Sequence, residues 1–130
     1  MIGVDTNVLV RLLTADEPVH HRLSLAFFDM RSVDDPAFVS AVTMAETMWV
    51  LRQSYGYSPA EILQTVSNML DTDDFVLEGR SALEAMRNLG KPALMNDFLL
   101  AYLGERAGCS ATVTFDVRAV RAIPSMELLS

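Results

Sequence analysis

The sequence lacks the features of disulfide-bonded, membrane-spanning and secreted proteins. Its 130 residues include one cysteine, Cys109, so no internal disulfide can form, and we expect a reducing, cytoplasmic environment. No apolar run reaches the roughly 18 residues that a membrane-spanning helix needs, so no membrane association is predicted. The N-terminus lacks a basic segment followed by a small-residue cleavage site, which predicts a first strand and helix instead of a signal peptide.

Positive charge is also scarce. Lys91 is the sole lysine, and 10 basic residues stand against 17 acidic ones, which gives a formal net charge of −7. Because nonspecific nucleic-acid binding depends on cationic surface, this balance counts against a nucleic-acid substrate unless metal ions and a local arginine patch offset it. The P-loop, dinucleotide-glycine and CxxC patterns are missing as well. With 51% hydrophobic residues, the chain is predicted to form one domain over residues 1–130.

Short apolar segments alternate along the chain with segments of helical pattern. The predicted strands cover residues 1–5, 37–39, 75–77, 111–115 and 126–128. The predicted helices cover residues 7–13, 18–30, 42–55, 59–70, 80–89, 93–107 and 117–122. This alternation predicts an α/β fold of three layers, with a central, mostly parallel sheet of four to five short strands and helices on both faces.

Four carboxylates interrupt or end segments that otherwise look like core. They are Asp5, Glu46, Asp97 and Asp116. Acids are rarely buried without a partner, and four of them brought together would repel one another and raise each other's pKa. The simplest partner that keeps all of them ionised is a hard divalent cation, Mg²⁺ or Mn²⁺, which prefers oxygen ligands. The pattern therefore predicts a metal-dependent enzyme that acts on phosphate esters.

Two of the acids follow predicted strands. Asp5 ends the first strand and Asp116 ends the fourth, and in open α/β sheets a site lies beyond the carboxyl ends of the strands. Both positions also suit a side chain that caps the following helix. Capping and metal binding do not exclude each other, so both interpretations stay open at this point.

Glu46 lies within a long predicted helix. The apolar positions of this helix include Val42, Ala45, Trp49 and Val50. This spacing places Glu46 on or beside the predicted buried stripe. A solvated glutamate at the edge of that stripe is the alternative.

Asp97 lies within the most apolar predicted helix. Asn96 and Asp97 are the polar pair in a run of apolar residues that extends from Lys91 to Gly104. Nearly every face of this helix is apolar, which favours a functional Asp97. The alternative is a structural acid paired with a buried arginine.

Taken in order, these segments resemble the PIN-domain ribonucleases, in particular the VapC-type toxins of VapBC toxin–antitoxin pairs. The resemblance covers about residues 2–128 and rests on four motifs, at residues 4–10, 40–46, 97–101 and 113–116. The first is the Asp-Thr-Asn turn at Asp5, and the others are centred on Glu46, Asp97 and Asp116. One departure is Leu94, where many relatives carry another acid, which implies weaker binding of a second metal.

The resemblance implies a PIN-like fold and a mechanism. The four acids would hold one or two Mg²⁺ or Mn²⁺ ions, and RNA hydrolysis would leave a 5′-phosphate end. Residues that would orient the carboxylates are Thr6, Asn7 and Thr114. The candidate RNA contacts are Arg11, Arg118 and Arg121, and the alternative for Arg118 and Arg121 is a solvated helix face. The implied partners are the RNA substrate, a small antitoxin whose basic C-terminal segment covers the acidic groove, and a second copy in a homodimer.

Three other hypotheses remain beside this one. The first is a PIN nuclease outside any toxin–antitoxin pair, and the second is a non-catalytic PIN-like module that binds RNA or protein; the four acids argue against the module. The third is a phosphotransfer protein with an acid pocket. Its pattern is poorly matched, because Asp5-Thr6-Asn7 lacks a second aspartate and Lys91 follows a helix instead of a late strand.

Overall fold

The structure, a computed structural model, describes residues 1–130 and divides into two compact units. The N-terminal unit is Met1–Arg80 and the C-terminal unit is Ser81–Ser130. The prediction of one domain over residues 1–130 stays a prediction. No helix is both long enough and apolar enough to cross a membrane.

The N-terminal unit contains a three-stranded parallel sheet and four helices. Its elements are β1 (Ile2–Gly3), α1 (Thr6–Leu13), α2 (Pro18–Asp29), β2 (Ala37–Val39), α3 (Ala41–Tyr55), α4 (Pro59–Leu70) and β3 (Phe75–Leu77). The strand order is β1-β2-β3, with Gly3 opposite Phe38 and Val39 opposite Leu77. The carboxyl ends of β1 and β2 therefore lie at the same edge of this sheet.

The C-terminal unit contains a two-stranded parallel sheet. Its elements are α5 (Arg80–Leu89), which begins at the last residue of the N-terminal unit, a 3-10 turn (Pro92–Leu94), α6 (Met95–Arg106), β4 (Thr112–Thr114), α7 (Val117–Ala122) and β5 (Met126–Leu128). In the sheet Thr112 lies opposite Met126 and Thr114 opposite Leu128. The connection from β4 to β5 contains α7, as a parallel pair requires a crossover.

The predicted α/β fold class is confirmed: helices alternate with five short strands, and every strand pair is parallel. Two predicted boundaries were wrong by more than one residue. The first strand was predicted over residues 1–5 but covers Ile2–Gly3, because Asp5 leaves the strand to cap α1. The helix predicted over 93–107 starts as the 3-10 turn Pro92–Leu94, where no side chain caps the helix start.

The helix α3 is fixed at both ends. At its start the Ser40 hydroxyl accepts from the Thr43 amide at 3.0 Å, and Glu78 Oε1 accepts from the Ala41 amide at 2.8 Å. Two of the amides that a helix start leaves unpaired are thereby satisfied. At its end Gly56 adopts a positive φ of 66°, a conformation that favours glycine.

The buried stripe predicted for α3 was wrong. Val42 and Trp49 are 63% and 61% exposed, and Glu46 shares this exposed face with them. The residues that α3 buries are Ala41, Thr43, Met44, Thr47, Met48 and Leu51. Sequence reasoning missed this face because two of its members are threonines, whose hydroxyls looked like surface groups, and because apolar side chains occur on both faces.

Candidate functional site

Asp5 lies at the carboxyl end of β1 and caps α1. Its Oδ1 accepts from the backbone amide of Val8 at 3.1 Å, and its side chain is exposed. The capping alternative from the sequence is therefore confirmed for Asp5. Capping uses one carboxylate oxygen, so Oδ2 faces no hydrogen-bond donor of the chain and is available to a ligand.

Glu46 points from the exposed face of α3 to the start of α1. The Thr6 hydroxyl donates to Glu46 Oε2 at 2.9 Å, across 40 residues of sequence. A second link lies beside it, since Thr43 Oγ1 donates to the Val4 carbonyl at 3.4 Å. The turn that contains Asp5 and the helix that contains Glu46 are thus joined by two hydroxyl groups. Of the residues predicted to orient carboxylates, Thr6 makes this contact.

Two adjoining clefts open beside Asp5 in the N-terminal unit, with volumes of about 260 and 440 Å³. Both are lined by Asp5, Val8, Leu23 and Ser24. Asn7 lines the smaller one, and it makes no hydrogen bond to any of the four acids. Asp5 therefore sits at the rim of a mainly apolar depression between α1 and α2.

Arg11, a predicted RNA contact, is engaged within the chain. Its Nη1 donates to Asp16 Oδ1 at 3.3 Å and to the Tyr55 hydroxyl at 3.2 Å. The Tyr55 hydroxyl donates in turn to Asp16 Oδ2 at 2.8 Å. This bond, with a smaller contribution from the Arg11 charge, holds the pKa of Asp16 below its ordinary value. Arg11 therefore makes two hydrogen bonds within the chain, both through Nη1.

Asp116 lies after β4 in the C-terminal unit and caps α7. Its Oδ1 accepts from the amides of Arg118 at 2.9 Å and Ala119 at 3.4 Å. The guanidinium of Arg118 lies 3.4 Å from Oδ2, on a side chain that is 73% exposed. Hydrogen bonds from Arg118 hold the pKa of Asp116 below its ordinary value. The capping interpretation is confirmed here too.

Thr114 acts on Asp116 in another way than predicted. Its hydroxyl accepts from the backbone amide of Asp116 at 3.0 Å, so it fixes the backbone and makes no contact with the carboxylate. Arg121 is exposed on α7 and makes no ion pair with an acid. The C-terminal unit therefore places one of its two predicted RNA-contacting arginines, Arg118, against a predicted metal ligand.

Asp97 is half-buried in the first turn of α6. Burial raises its pKa most, and the negative charge of Asp116 raises it further. A hydrogen bond from its own backbone and the charge of Arg118 act in the opposite direction and are outweighed. The ionised form of Asp97 is therefore disfavoured: burial and the negative charge of Asp116 together outweigh the favourable charge of Arg118.

The structure presents the four acids as one pair in each unit. Asp5 and Glu46 share Thr6, which follows one in sequence and donates to the other. Asp97 and Asp116 interact electrostatically. Within either unit, no group of three or more His, Cys, Asp or Glu side chains is close enough to hold a metal ion. That all four hold one ion together stays a prediction.

Sequence reasoning also overlooked one prominent residue beside the site. Trp49 was assigned to the core, yet it is exposed one helical turn after Glu46. The signal was present in the sequence: positions 43, 44, 47, 48 and 51 follow helical spacing more regularly than the residues chosen.

The chain was compared with known proteins in three ways. A model of the PIN domain family matches residues 2–123, a span that includes all four acids and runs from β1 to the residue after α7. No curated protein and no solved structure matches the chain.

Proposed function

The chain belongs to the PIN domain family, and from that premise we propose that it is a metal-dependent endoribonuclease with Asp5, Glu46, Asp97 and Asp116 as its metal ligands. PIN domains are generally nucleases that use Mg²⁺ or Mn²⁺, so a nuclease-type function follows from membership. RNA as the substrate and the four named ligands are our proposal.

The observation that carries the proposal is the 2.9 Å hydrogen bond from Thr6 to Glu46. A glutamate on an exposed helix face has no structural need for a fixed orientation. Here a neutral donor fixes it next to the turn that holds Asp5, and the donor adds no positive charge beside the carboxylate. This is how an outer hydroxyl group orients a metal ligand.

The donor set suits a hard cation. All four side chains offer carboxylate oxygens, which Mg²⁺ and Mn²⁺ prefer. The raised pKa of Asp97 supports the same idea, because it reflects negative charge that the chain's own cations do not offset. When bound, the ion would act as a Lewis acid that activates water and offsets charge on the phosphodiester.

The chain's own residues would contribute in distinct ways. Thr6 orients Glu46, and Thr114 holds the backbone from which Asp116 projects. In the absence of substrate, Arg118 neutralises part of the Asp116 charge. When RNA binds, its exposed guanidinium can turn to a phosphate. Arg121, exposed on the same helix, would add a second phosphate contact.

We further propose that the nuclease is the VapC-type toxin of a toxin–antitoxin pair. With a net charge of −7 and exposed carboxylates at Asp5 and Glu46, the protein suits a basic peptide as its inhibitor. An arginine of that peptide can pair with a carboxylate through two parallel hydrogen bonds. The antitoxin would inhibit by placing a basic side chain among the acids and displacing metal, and the toxin would act as a homodimer.

The nuclease proposal is tested by incubating the purified protein with single-stranded RNA, with single-stranded DNA of the same sequence as the control. Cleavage of RNA should vanish with EDTA and return with Mn²⁺ or Mg²⁺. Calorimetry should show Mn²⁺ binding that Glu46→Gln weakens. Robust RNA cleavage by protein stripped of metal would refute the proposed site.

The toxin proposal is tested at the neighbouring gene. We expect a small upstream reading frame that encodes a DNA-binding N-terminus and a basic C-terminal tail. Its product should co-purify with the protein, abolish cleavage and prevent Mn²⁺ binding. A peptide that binds tightly but leaves Mn²⁺ binding unchanged would require another mode of inhibition. Without such a gene, a PIN nuclease outside a toxin–antitoxin pair becomes the better description.

A further inference from the structure

The exposed face of α3 presents an indole group beside a proposed metal ligand. Trp49 is the sole tryptophan of the chain and is 61% exposed. It follows Glu46 by three residues, and residues three apart on a helix are surface neighbours with Cβ atoms about 5–6 Å apart. Tryptophan has a large apolar side chain and is enriched at interfaces, so its exposure beside Glu46 favours a surface that binds a partner.

A cation continues the same surface. Arg52 follows Trp49 by three residues, is exposed, and makes no ion pair within the chain. Along α3 the order is thus carboxylate, indole and guanidinium. A single RNA strand offers the complementary order, which is a phosphate for the metal at Glu46, a base for the indole and the next phosphate for Arg52.

We propose that Trp49 is a stacking platform for one base of a single-stranded RNA substrate, next to the phosphate that is cleaved. Arg52 would contact the following phosphate. Stacking on an aromatic side chain accepts any base, whereas an A-form duplex keeps its bases inside the stack. The proposed function is the basis of this inference, and it adds the residue that would hold an unpaired base beside the cleaved phosphate.

A second copy of the chain is a less suitable occupant of this face. Glu46 lies between Val42 and Trp49 on the helix surface, so a protein interface here would bury its carboxylate. Interface cores are depleted in charged residues because removing a charge from water is unfavourable unless it is well paired. One hydrogen bond from Thr6 does not supply that pairing. When RNA and metal bind this face instead, the negative charge of Glu46 serves as a metal ligand.

Because Trp49 is the sole tryptophan, its fluorescence reports on this position alone. The binding measurement uses Glu46→Gln protein, which keeps the RNA intact, and a short single-stranded RNA as the probe. The control probe has the same sugar-phosphate backbone with abasic positions, which preserves charge and removes stacking. We expect the RNA to quench Trp49 fluorescence and the abasic strand to leave it nearly unchanged.

The kinetic measurement uses three variants in an otherwise unaltered protein. Trp49→Ala should raise KM for single-stranded RNA roughly ten-fold or more, since stacking contributes this much per base, with kcat nearly unchanged. Trp49→Phe keeps an aromatic ring and should retain most of the affinity. Met30→Ala, at an exposed apolar residue of the same unit, is the matched control and should change neither constant.

Unquenched fluorescence at saturating RNA, together with an unchanged KM for Trp49→Ala, would overturn the inference while RNA cleavage still supported the proposed nuclease. Dissociation of a dimer in Trp49→Ala, measured by light scattering, would also overturn it and make this face an interface between copies. If the unaltered protein cleaves no RNA but RNA still quenches Trp49, the stacking inference stands and the proposed reaction fails.

Discussion

The two pairs of acids are held by different kinds of donor. In the N-terminal unit, neutral groups orient the carboxylates: the Thr6 hydroxyl for Glu46 and the Val8 amide for Asp5. In the C-terminal unit, a cation lies beside one acid, and the other is half-buried near the first. The neutral donors fix the orientation of the N-terminal carboxylates without adding charge, whereas Arg118 places a positive charge beside Asp116.

This difference assigns separate tasks to the two pairs. Glu46 is ready to receive a metal without rearrangement of its own partner. Asp116 shares its charge with Arg118, so a metal and Arg118 compete for the same carboxylate. The C-terminal pair should therefore respond to substrate and pH, whereas the N-terminal pair should depend on the hydrogen bond that orients Glu46. The five predictions that follow test the two pairs.

The largest expected effect follows Asp97→Asn, which keeps the shape of the side chain and removes its charge. RNA cleavage should fall about a thousand-fold or more, since a lost ligand weakens several kcal/mol of electrostatic stabilisation. The metal-free melting temperature should stay equal or rise, because burial and Asp116 disfavour the ionised form. A clear drop in melting temperature with cleavage retained would make Asp97 a structural residue.

The same variant gives a pH test with a defined sign. The pKa of Asp97 is raised in the folded state, so its ionised form destabilises the fold at pH values above that raised pKa. The destabilisation disappears as the pH falls below the ordinary aspartate pKa. Metal-free Asp97→Asn should therefore exceed the unaltered protein in stability near neutral pH and match it in acid, as measured by urea unfolding.

Thr6→Val tests the N-terminal pair. It removes the hydroxyl that donates to Glu46 and keeps the volume of the side chain. Loss of such an orienting group lowers metal affinity by about 10–100-fold, while the stability should change by only about 1 kcal/mol. Thr6→Ser keeps the donor and serves as the control in Mn²⁺ calorimetry. Equal Mn²⁺ affinity in Thr6→Val would mean that the bond is incidental.

Gly104→Ala tests the spacing in the C-terminal unit. A Cβ at Gly104 on α6 would lie 2.6 Å from Thr112 Oγ1 on β4, so the Thr112 side chain must move or the helix and strand must separate. Such overpacking costs about 1–3 kcal/mol, against less than about 1 kcal/mol gained from helix propensity. Asp97 lies on α6 and Asp116 follows β4, so cleavage should fall as well. Combined with Thr112→Ala, the substitution should become neutral or stabilising.

The smallest effect is expected for Arg118→Ala, because its side chain is exposed. The lowered pKa of Asp116 stabilises the fold above the ordinary aspartate pKa and ceases to do so as the pH falls through the lowered value. Removing Arg118 should therefore reduce stability slightly near neutral pH. Mn²⁺ affinity should stay equal or rise, and KM for RNA should increase. Weaker Mn²⁺ binding would contradict competition between Arg118 and the metal.

Much of the fold was predictable because local signals mark its elements. Ser58 and Glu61 form the capping box that starts α4, and Gly56 ends α3 with a positive φ. The strands of residues 37–39, 75–77 and 126–128 were predicted with their observed limits. Such features depend on residues close in sequence, which composition and spacing describe well.

The contacts around the acids could not be predicted, because they join distant residues. Nothing near Arg11 in sequence indicates that Tyr55 will engage it, and the donor for Glu46 lies 40 residues away. The exposed face of α3 was misassigned for a different reason: apolar side chains occur on both faces of this helix, and hydrophobicity alone does not tell a buried one from an exposed one such as Trp49.

The hydrogen bond from the Ala41 amide to Glu78 links the start of α3 to a later strand. Glu78 follows β3, so this hydrogen bond forms only after the chain has continued 37 residues beyond Ala41 and β3 has paired with β2. During synthesis, the Ser40 hydroxyl would therefore be the sole side-chain cap of α3 until that strand has docked. In hydrogen exchange, the Ala41 amide should be protected as long as the β2–β3 pair stays closed, and it should open together with that pair.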